Sequence, residues 1–547
     1  MDNIENNNVI QEQFEQQNDE IQFNYGDTTE SKPNFELKKG DMIFAGLALF
    51  GGIFLSMFGI FGGFSLGYLM SLVLIVTIFA AYLIKKDGIR LFPILCGLLT
   101  LGNAAVFITT TNSGVKFFAV IISFLLLLVS FNGFIGEKAV GNRGTVGVFF
   151  SAASTIGNIV LSIRSIFSKK KDGNQSFGKV MLGFACAIPV LIIVVPLLLK
   201  SDAAFSGMID NIFGNMGDLS SIIFKSVFGA NLAIPIIAYG FSLKNKRFAK
   251  LKESKFQGIE NIFIISFLSA IAVCYLLYLF SQLAYFFSAF NGFLPNGNIT
   301  YAQYARKGFF EMCAIAVINL TLVMASMLLS KKQEGKVCLG VKLLSTFIAV
   351  FTLIIIATAV SKMVLYINNY GMTVRRVTTS AFMMFLAVVF IALILRIYIN
   401  KINVVKVGLL TAGVVVIILG TANVNAVCAK YNYDAYKSQE LKVIDINAMY
   451  DLGDEGIPYV VKLACSKDRE VAIEAQQYLK KAYKQDYFYN THNIKNFTVE
   501  DFKQNSKNKG FEEFNIPQKR AYDYLYAFIE KNPTFCSKID IETYSYN

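Results

Sequence analysis

Long apolar runs separated by short polar connections make up most of this chain. The runs lie at about 42–62, 64–84, 91–111, 115–135, 178–199, 221–242, 260–286, 308–329, 342–366, 379–396 and 405–425. Each is close to the ~20 residues that carry a helix across a hydrocarbon core. Lipid offers backbone N–H and C=O groups no partners, so a run of this length reads as a helix. The pattern therefore predicts about eleven transmembrane helices. Two connections carry a shorter helical period. In 148–168 the apolar positions are Phe149, Ile156, Ile159, Val160, Ile163 and Phe167, with Ser, Thr and Asn opposite and Lys169 to Lys171 after them. Phe205, Met208, Ile209, Ile212, Phe213 and Met216 make a similar stripe. Both suit helices lying on a membrane surface, and both equally suit helices packed against the bundle.

The two ends of the chain differ from this. Residues 1–37 are rich in Asn, Gln and acid and have no apolar period, which predicts a disordered tail. With no apolar leader ahead of it, the first span is expected to direct its own insertion. After residue 427 the composition becomes that of a soluble segment. Val471, Ala472, Ala475, Tyr478, Leu479 and Ala482 form a helical stripe, with Ser466 as a candidate cap. A second helix fits Pro517 to Glu530. The expected organisation is a disordered cytosolic tail (1–40), a polytopic transmembrane domain (41–427) and a small extracytoplasmic α-helical domain (428–547). The expected fold class is thus an all-α integral membrane protein of about 11 transmembrane helices plus a small α-helical soluble C-terminal domain.

Charge adds an orientation. Of 547 residues 54% are hydrophobic, yet the formal charge is +13. Residues 1–40 carry −6, residues 41–427 carry +20 and residues 428–547 carry −1. The threading puts 23 Lys and Arg in connections on one side and 8 on the other. Basic loops stay in the cytosol, so the N-terminus is expected inside and the C-terminus outside. A basic membrane region points to the bilayer and its anionic inner-leaflet lipid as partners, and no aromatic-rich basic face supports nucleic acid. The eight Cys are scattered without a C-x-x-C pair, and Cys428, Cys465 and Cys536 are an odd number after the last span. A closed disulfide framework is therefore not expected.

Ionisable and polar groups near membrane depth are costly, which makes them the candidates for function. Thr300 to Glu311 reads T-Y-A-Q-Y-A-R-K-G-F-F-E, a helix that starts at the surface and enters lipid. Thr300 and Gln303 make a capping pair, Tyr301 and Tyr304 suit the headgroup zone, Arg306 follows, and Glu311 sits about a turn inside. Lys362, Tyr366 and Tyr370 are spaced by four and share a helical face. Gly371 is a candidate stop, and Arg376 lies just beyond it. Gln282 is a further polar residue from the same leaflet. The candidate polar site is therefore Gln282, Tyr301, Tyr304, Arg306, Glu311, Lys362, Tyr366, Tyr370 and Arg376, with Glu311 facing Lys362 or Arg376 as one arrangement. Aromatic-belt and surface-charge roles explain the same residues. Pro189, Pro196 and Pro235 mark kinked spans that frame a path or simply occur in a bundle. No catalytic, cofactor-binding or metal-ligating set is visible. His492 is alone, Gly141, Gly144 and Gly147 lack a phosphate-loop context, and no hydrolase, metalloprotease or P-loop motif occurs.

Several of these motifs together resemble a family of uncharacterised bacterial multi-pass membrane proteins, a domain of unknown function. They are T-Y-A-Q-Y-A-R-K-G-F-F-E followed by A-V-I-N-L, C-Y-L-L-Y-L-F-S-Q upstream, and L-Y-I-N-N-Y-G-M-T-V-R-R. N-V-N-A-V-C-A-K-Y-N and D-I-N-A-M-Y-D-L-G-D-E-G-I-P continue the likeness, with Val424 and Asn425 where that pattern has Pro and Asp. The resemblance implies a bacterial cell membrane and carries no established activity. Two functions stand as expectations. One is a transporter or permease-like protein for a small solute or lipid. The other is a non-enzymatic envelope sensor or assembly protein whose outer domain binds a protein or small-molecule ligand. An enzyme acting on lipid or cell-wall intermediates ranks below both.

Overall fold

A computed structural model of the chain describes residues 39–83, 91–134, 217–244, 258–291, 309–332, 337–399, 401–441, 443–490 and 510–532; for 217–220, 242, 282–291, 309–310 and 481–490 it describes the backbone alone. Ten helices among them are long and apolar enough to cross a membrane. In chain order these are α1 (Lys39–Phe54), α2 (Leu66–Leu83), α3 (Leu91–Thr109), α4 (Ser113–Phe134), α5 (Gly217–Lys244), α6 (Asn261–Asn291), α7 (Phe309–Leu329), α8 (Leu339–Tyr370), α9 (Val374–Tyr398) and α10 (Val404–Thr421). The chain is an all-α multi-pass membrane protein, as its apolar runs predict. The run expected at 178–199 and both surface stripes lie outside the described residues, as do Pro189, Pro196, His492 and the Gly141–Gly147 loop.

The first span is not one regular helix. After Phe54 it widens into a π-helical turn over Leu55–Ile60. At that level α5 crosses very closely. A Cβ on Gly229 would stand 2.5 Å from the Cα of Ile53, and one on Gly52 would stand 2.7 Å from the carbonyl of Gly229. Ser56 Oγ donates to the carbonyl of Lys225 at 2.7 Å across the same contact. Lipid provides no hydrophobic drive between helices, so close backbone approach and a hydrogen bond hold this crossing.

The remaining spans form two packed groups. In the first, α3, α4 and α10 pack on one another, with α2 beside α3. In the second, α8 is the centre, packed on α6, α7 and α9. Phe351, Ile355, Ile348 and Ala359 of α8 are at most 2% exposed in its core. Helices α9 and α10 join the two groups. Large apolar side chains such as Leu98, Phe117, Ile262 and Phe280 are exposed on the spans, the pattern of surfaces made for lipid.

Five short helices follow: α11 (Val424–Lys437), α12 (Ile446–Tyr450), α13 (Ile457–Ala464), α14 (Arg469–Asn490) and α15 (Ile516–Lys531). The stripe predicted at Val471 to Ala482 is α14, and the helix predicted at Pro517 to Glu530 is α15. Asp468, rather than Ser466, caps α14: its carboxylate accepts from the amides of Glu470 and Val471. Ser466 Oγ accepts instead from the amide of Asp468. One core runs through these helices and the first group of spans: Ala104 and Phe107 of α3, Ala119 of α4, Cys428 of α11, Met449, Val460, Leu479 and Ile529. Burying each of the larger apolar side chains from water contributes about 1.5–3 kcal/mol.

Candidate functional site

The C-terminal helices meet the tips of two hairpins at one end of the bundle. The first tip is Thr110–Asn112, between α3 and α4. A helix leaves its last carbonyls without partners, and in a crowded site those groups need donors. Here Asn515 Nδ2 donates to the carbonyls of Phe107 and Thr110 at 2.9 and 3.1 Å. Asn423 Nδ2 donates to the carbonyl of Thr109 at 2.9 Å. Each Asn also starts a helix with its other atom: Asn515 Oδ1 accepts from the amide of Gln518, and Asn423 Oδ1 from that of Ala426. Asn423 has φ +52°, a left-handed conformation that Asn tolerates. The chain therefore turns sharply between α10 and α11 although Val424 stands where the resembling pattern has Pro.

Glu455 fills the centre of this contact and is 3% exposed. Its carboxylate accepts from the Thr110 hydroxyl at 3.1 Å, from the Thr111 amide at 2.7 Å and from the Thr111 hydroxyl. A buried carboxylate needs such donors to offset its desolvation. Beside it, Asn112 Nδ2 donates to Asn425 Oδ1 at 2.7 Å, and Asn425 Nδ2 donates to the carbonyl of Leu452 at 3.0 Å. Lys116, a turn into α4, donates to the carbonyl of Phe64 at 3.1 Å.

The second tip is Gly371–Thr373, between α8 and α9. Gly371 ends α8 with φ +76° and ψ 175°, a region open essentially to glycine alone. Thr373 caps α9, its hydroxyl accepting from the amide of Arg376. Between them Asn432 of α11 accepts from the amide of Met372 at 2.7 Å and donates to its carbonyl at 2.8 Å. Arg376 lies under the same turn. Its guanidinium sits 3.9 Å from the centre of the Tyr366 ring and donates to the carbonyls of Tyr370 and Gly371. Burial pushes the thiol of Cys428, one turn from Asn432, up to about 12, with Arg376 pulling the other way.

Three of the sequence-derived candidates, Tyr366, Tyr370 and Arg376, thus gather at this second tip, and Lys362 lies one turn before Tyr366 on α8. Lys362 and Tyr366 are buried, Tyr370 is exposed, and Tyr366 and Tyr370 pack edge to face at 5.3 Å. Arg376 completes the group. Glu311 is exposed in the first turn of α7. Tyr301, Tyr304 and Arg306 lie outside the described residues, as does the side chain of Gln282. Sequence reasoning did not single out Glu455, Asn423, Asn425, Asn432, Asn515 or Thr110 to Asn112 as site residues. The available signal was the T-T-T-N run between two apolar spans, four hydrogen-bonding side chains where two would make a turn.

A separate polar line crosses the second helix group. Tyr275 donates to Asn319 Oδ1 at 2.6 Å, Asn319 Nδ2 donates to Thr352 Oγ1 at 2.9 Å, and Thr352 donates to the carbonyl of Ile348 at 2.7 Å. Asn319 and Thr352 are fully buried, while Ile318 points outward on the Glu311 side of α7. These bonds tie α6, α7 and α8 together and leave each polar group paired.

The arrangement is a fastening, made of amides, hydroxyls and one carboxylate. Among the described residues no cluster of three His, Cys, Asp or Glu is placed to hold a metal ion. Comparison with curated proteins finds no match, and comparison with solved structures finds none. A family comparison matches residues 72–463, from the second span through both fastened tips to the end of α13, and so the chain belongs to the family described as Domain of unknown function (DUF4153).

Proposed function

We propose that this protein works in the bacterial cell membrane as a non-enzymatic envelope sensor or assembly protein whose C-terminal helices face outward and bind a partner. The observation behind this reading is the double fastening. One set of short helices grips the α3–α4 tip through Glu455 and Asn515 and the α8–α9 tip through Asn432. It therefore spans both helix groups and opposes their relative motion at that end. A rigid platform suits display and docking. Alternating access asks one helix group to rock against the other. The lysine and arginine distribution supports a cytosolic N-terminus and an extracytoplasmic C-terminus.

Transport remains the second reading, favoured by Lys362, buried on α8 one turn before Tyr366, whose ring Arg376 covers. In that case Glu311, Gln282 and the Lys362 group serve a polar cavity. Two variants separate the readings. Asn432→Ala with Glu455→Gln loosens the platform, and Glu311→Gln removes the carboxylate. Partners are read by photo-crosslinking from exposed Val443 and Ile473 in living cells. The sensor or assembly reading predicts a crosslinked product that is lost in the loosened variant and kept in Glu311→Gln. A solute flux that is lost in Glu311→Gln, without any crosslinked product, favours transport. Orientation is tested separately by labelling exposed Cys465 with a membrane-impermeant maleimide in intact cells. Labelling only after permeabilisation would reverse the threading.

A further inference from the structure

We infer that the segment Gly510–Ile516, which leads into α15, is a membrane-dipping foot whose aromatic side chains sit in the lipid leaflet at the fastened end of the bundle. Its depth is set by three contacts with the ends of spans. Asn515 is bonded to the Phe107 carbonyl in the last turn of α3 and to the Thr110 carbonyl just past it. The side-chain carbons of Glu512 lie against the turn between α1 and α2, where a Cβ on Gly62 or Gly67 would stand 3.1 or 3.0 Å from them. The ring of Phe511 packs 5.8 Å from that of Phe58 in the π-helical turn. The segment is therefore held where apolar spans leave the hydrocarbon, not out among the water-facing helices.

At that level it exposes apolar side chains. Phe511 is 57% exposed, Phe514 40% and Ile516 50%. In water three such exposed residues on seven would be a liability. They continue a surface already made for lipid. Phe50, Phe54 and Phe58 step up α1 by one helical turn each, with ring centres 6.0 and 4.6 Å apart, and Phe511 is the next ring in the line. Phe61, just past the π-helical turn, makes a second aromatic group with Phe224 and Phe228 of α5, their ring centres 5.6–6.4 Å apart. An aromatic ladder that runs up a lipid-facing span and onto a C-terminal loop places that loop at the boundary of headgroups and acyl chains, where amphipathic and aromatic anchors settle. The occupant is the acyl–glycerol zone of the leaflet. The inference holds whichever side of the membrane this end faces.

The chain contains no Trp, so one introduced Trp reports alone. Phe514→Trp is reconstituted in bilayers whose lipids carry bromine at shallow or deep acyl positions, and acrylamide quenching is measured from the water. Two references bracket the scale: Leu98→Trp on the lipid-facing side of α3 and Val443→Trp in the exposed connection between α11 and α12. The foot predicts that Phe514→Trp is quenched by shallow bromolipid several-fold more than Val443→Trp, and is shielded from acrylamide. Emission and quenching indistinguishable from those of Val443→Trp would overturn it. If Phe514→Trp fails to fold, as judged by gel filtration in detergent, Phe511→Trp is read against the same references with the same two outcomes.

Discussion

Asn432 holds Met372 by both faces of its peptide unit, accepting from the amide at 2.7 Å and donating to the carbonyl at 2.8 Å across 60 residues of chain. One side chain thus satisfies both backbone groups at the tip of the α8–α9 hairpin, where neither helix can do so. Replacing it with Ala leaves a donor and an acceptor at a half-buried turn. Thermal unfolding in detergent should show a loss of about 1–3 kcal/mol for Asn432→Ala. An unchanged transition would mean that water replaces Asn432 without cost.

Gly371 and Asn432 are predicted to be coupled. A side chain on Gly371 must adopt φ +76°, a strain of about 1–3 kcal/mol, and its Cβ would stand 2.7 Å from Asn432 Oδ1. Removing Asn432 relieves the contact and leaves the backbone strain. Gly371→Ala with Asn432→Ala should therefore cost less than the sum of the two single changes, as measured by a double-mutant cycle. Strict additivity would count against the contact.

The carboxylate of Glu455 should matter more than its volume. Glu455→Gln keeps the shape but turns an NH2 group toward donors on Thr110 and Thr111. A loss of about 1.5–3 kcal/mol is expected, as for hydrogen bonds to a charged group. Thr111→Val should add little to it, because both changes break the same contact.

Which parts of this were legible in the sequence follows from the range of each interaction. Spans are local facts: ~20 apolar residues in a row have few other uses, and ten of the expected runs are helices here. That Tyr366, Tyr370 and Arg376 are neighbours was also legible, because i, i+4 spacing and a glycine stop are set within a short stretch of chain. Glu455 was not. It sits in D-L-G-D-E-G, which reads as a solvated turn, and its partners are 344 and 345 residues away. Asn423 and Asn515 are helix caps, and nothing local in the sequence says that the other half of each amide closes the end of α3. Asn319 shows the same limit from the other direction. A lone Asn in an apolar span is visible in the sequence, yet its pairing with Tyr275 and Thr352 needs two other helices.

Breaking that pairing should cost less than breaking the tips. Hydrogen bonds between membrane helices contribute about 0.6 kcal/mol on average and rarely above ~1.7. Asn319→Leu should therefore unfold within about 2 kcal/mol of wild type, a smaller change than that of Glu455→Gln. A larger loss would make this line, and not the tips, the main polar determinant of stability.

Cys428 and Cys465 should differ sharply in reactivity. Burial holds the Cys428 thiol near 12, so at pH 8 only about one part in ten thousand is thiolate. Cys465 is exposed. Maleimide labelling followed by mass spectrometry should modify Cys465 in the folded protein and Cys428 only after denaturation. The sign of the pH effect follows. Below the ordinary thiol value of 9.0 both states keep the proton, and between 9 and about 12 the unfolded chain loses it first. The contribution of Cys428 to stability is therefore lost as pH rises through that window.

The most direct test of the double fastening is hydrogen exchange at two loop amides. Thr111 donates its N–H to Glu455 and Met372 donates its N–H to Asn432, each at 2.7 Å, and neither belongs to a helix. The account predicts slow exchange at both in the wild-type protein, with Met372 released in Asn432→Ala and Thr111 released in Glu455→Gln. Exchange of both amides at free-peptide rates in the wild type would contradict it, and the C-terminal helices would then be tethered to the bundle without gripping it.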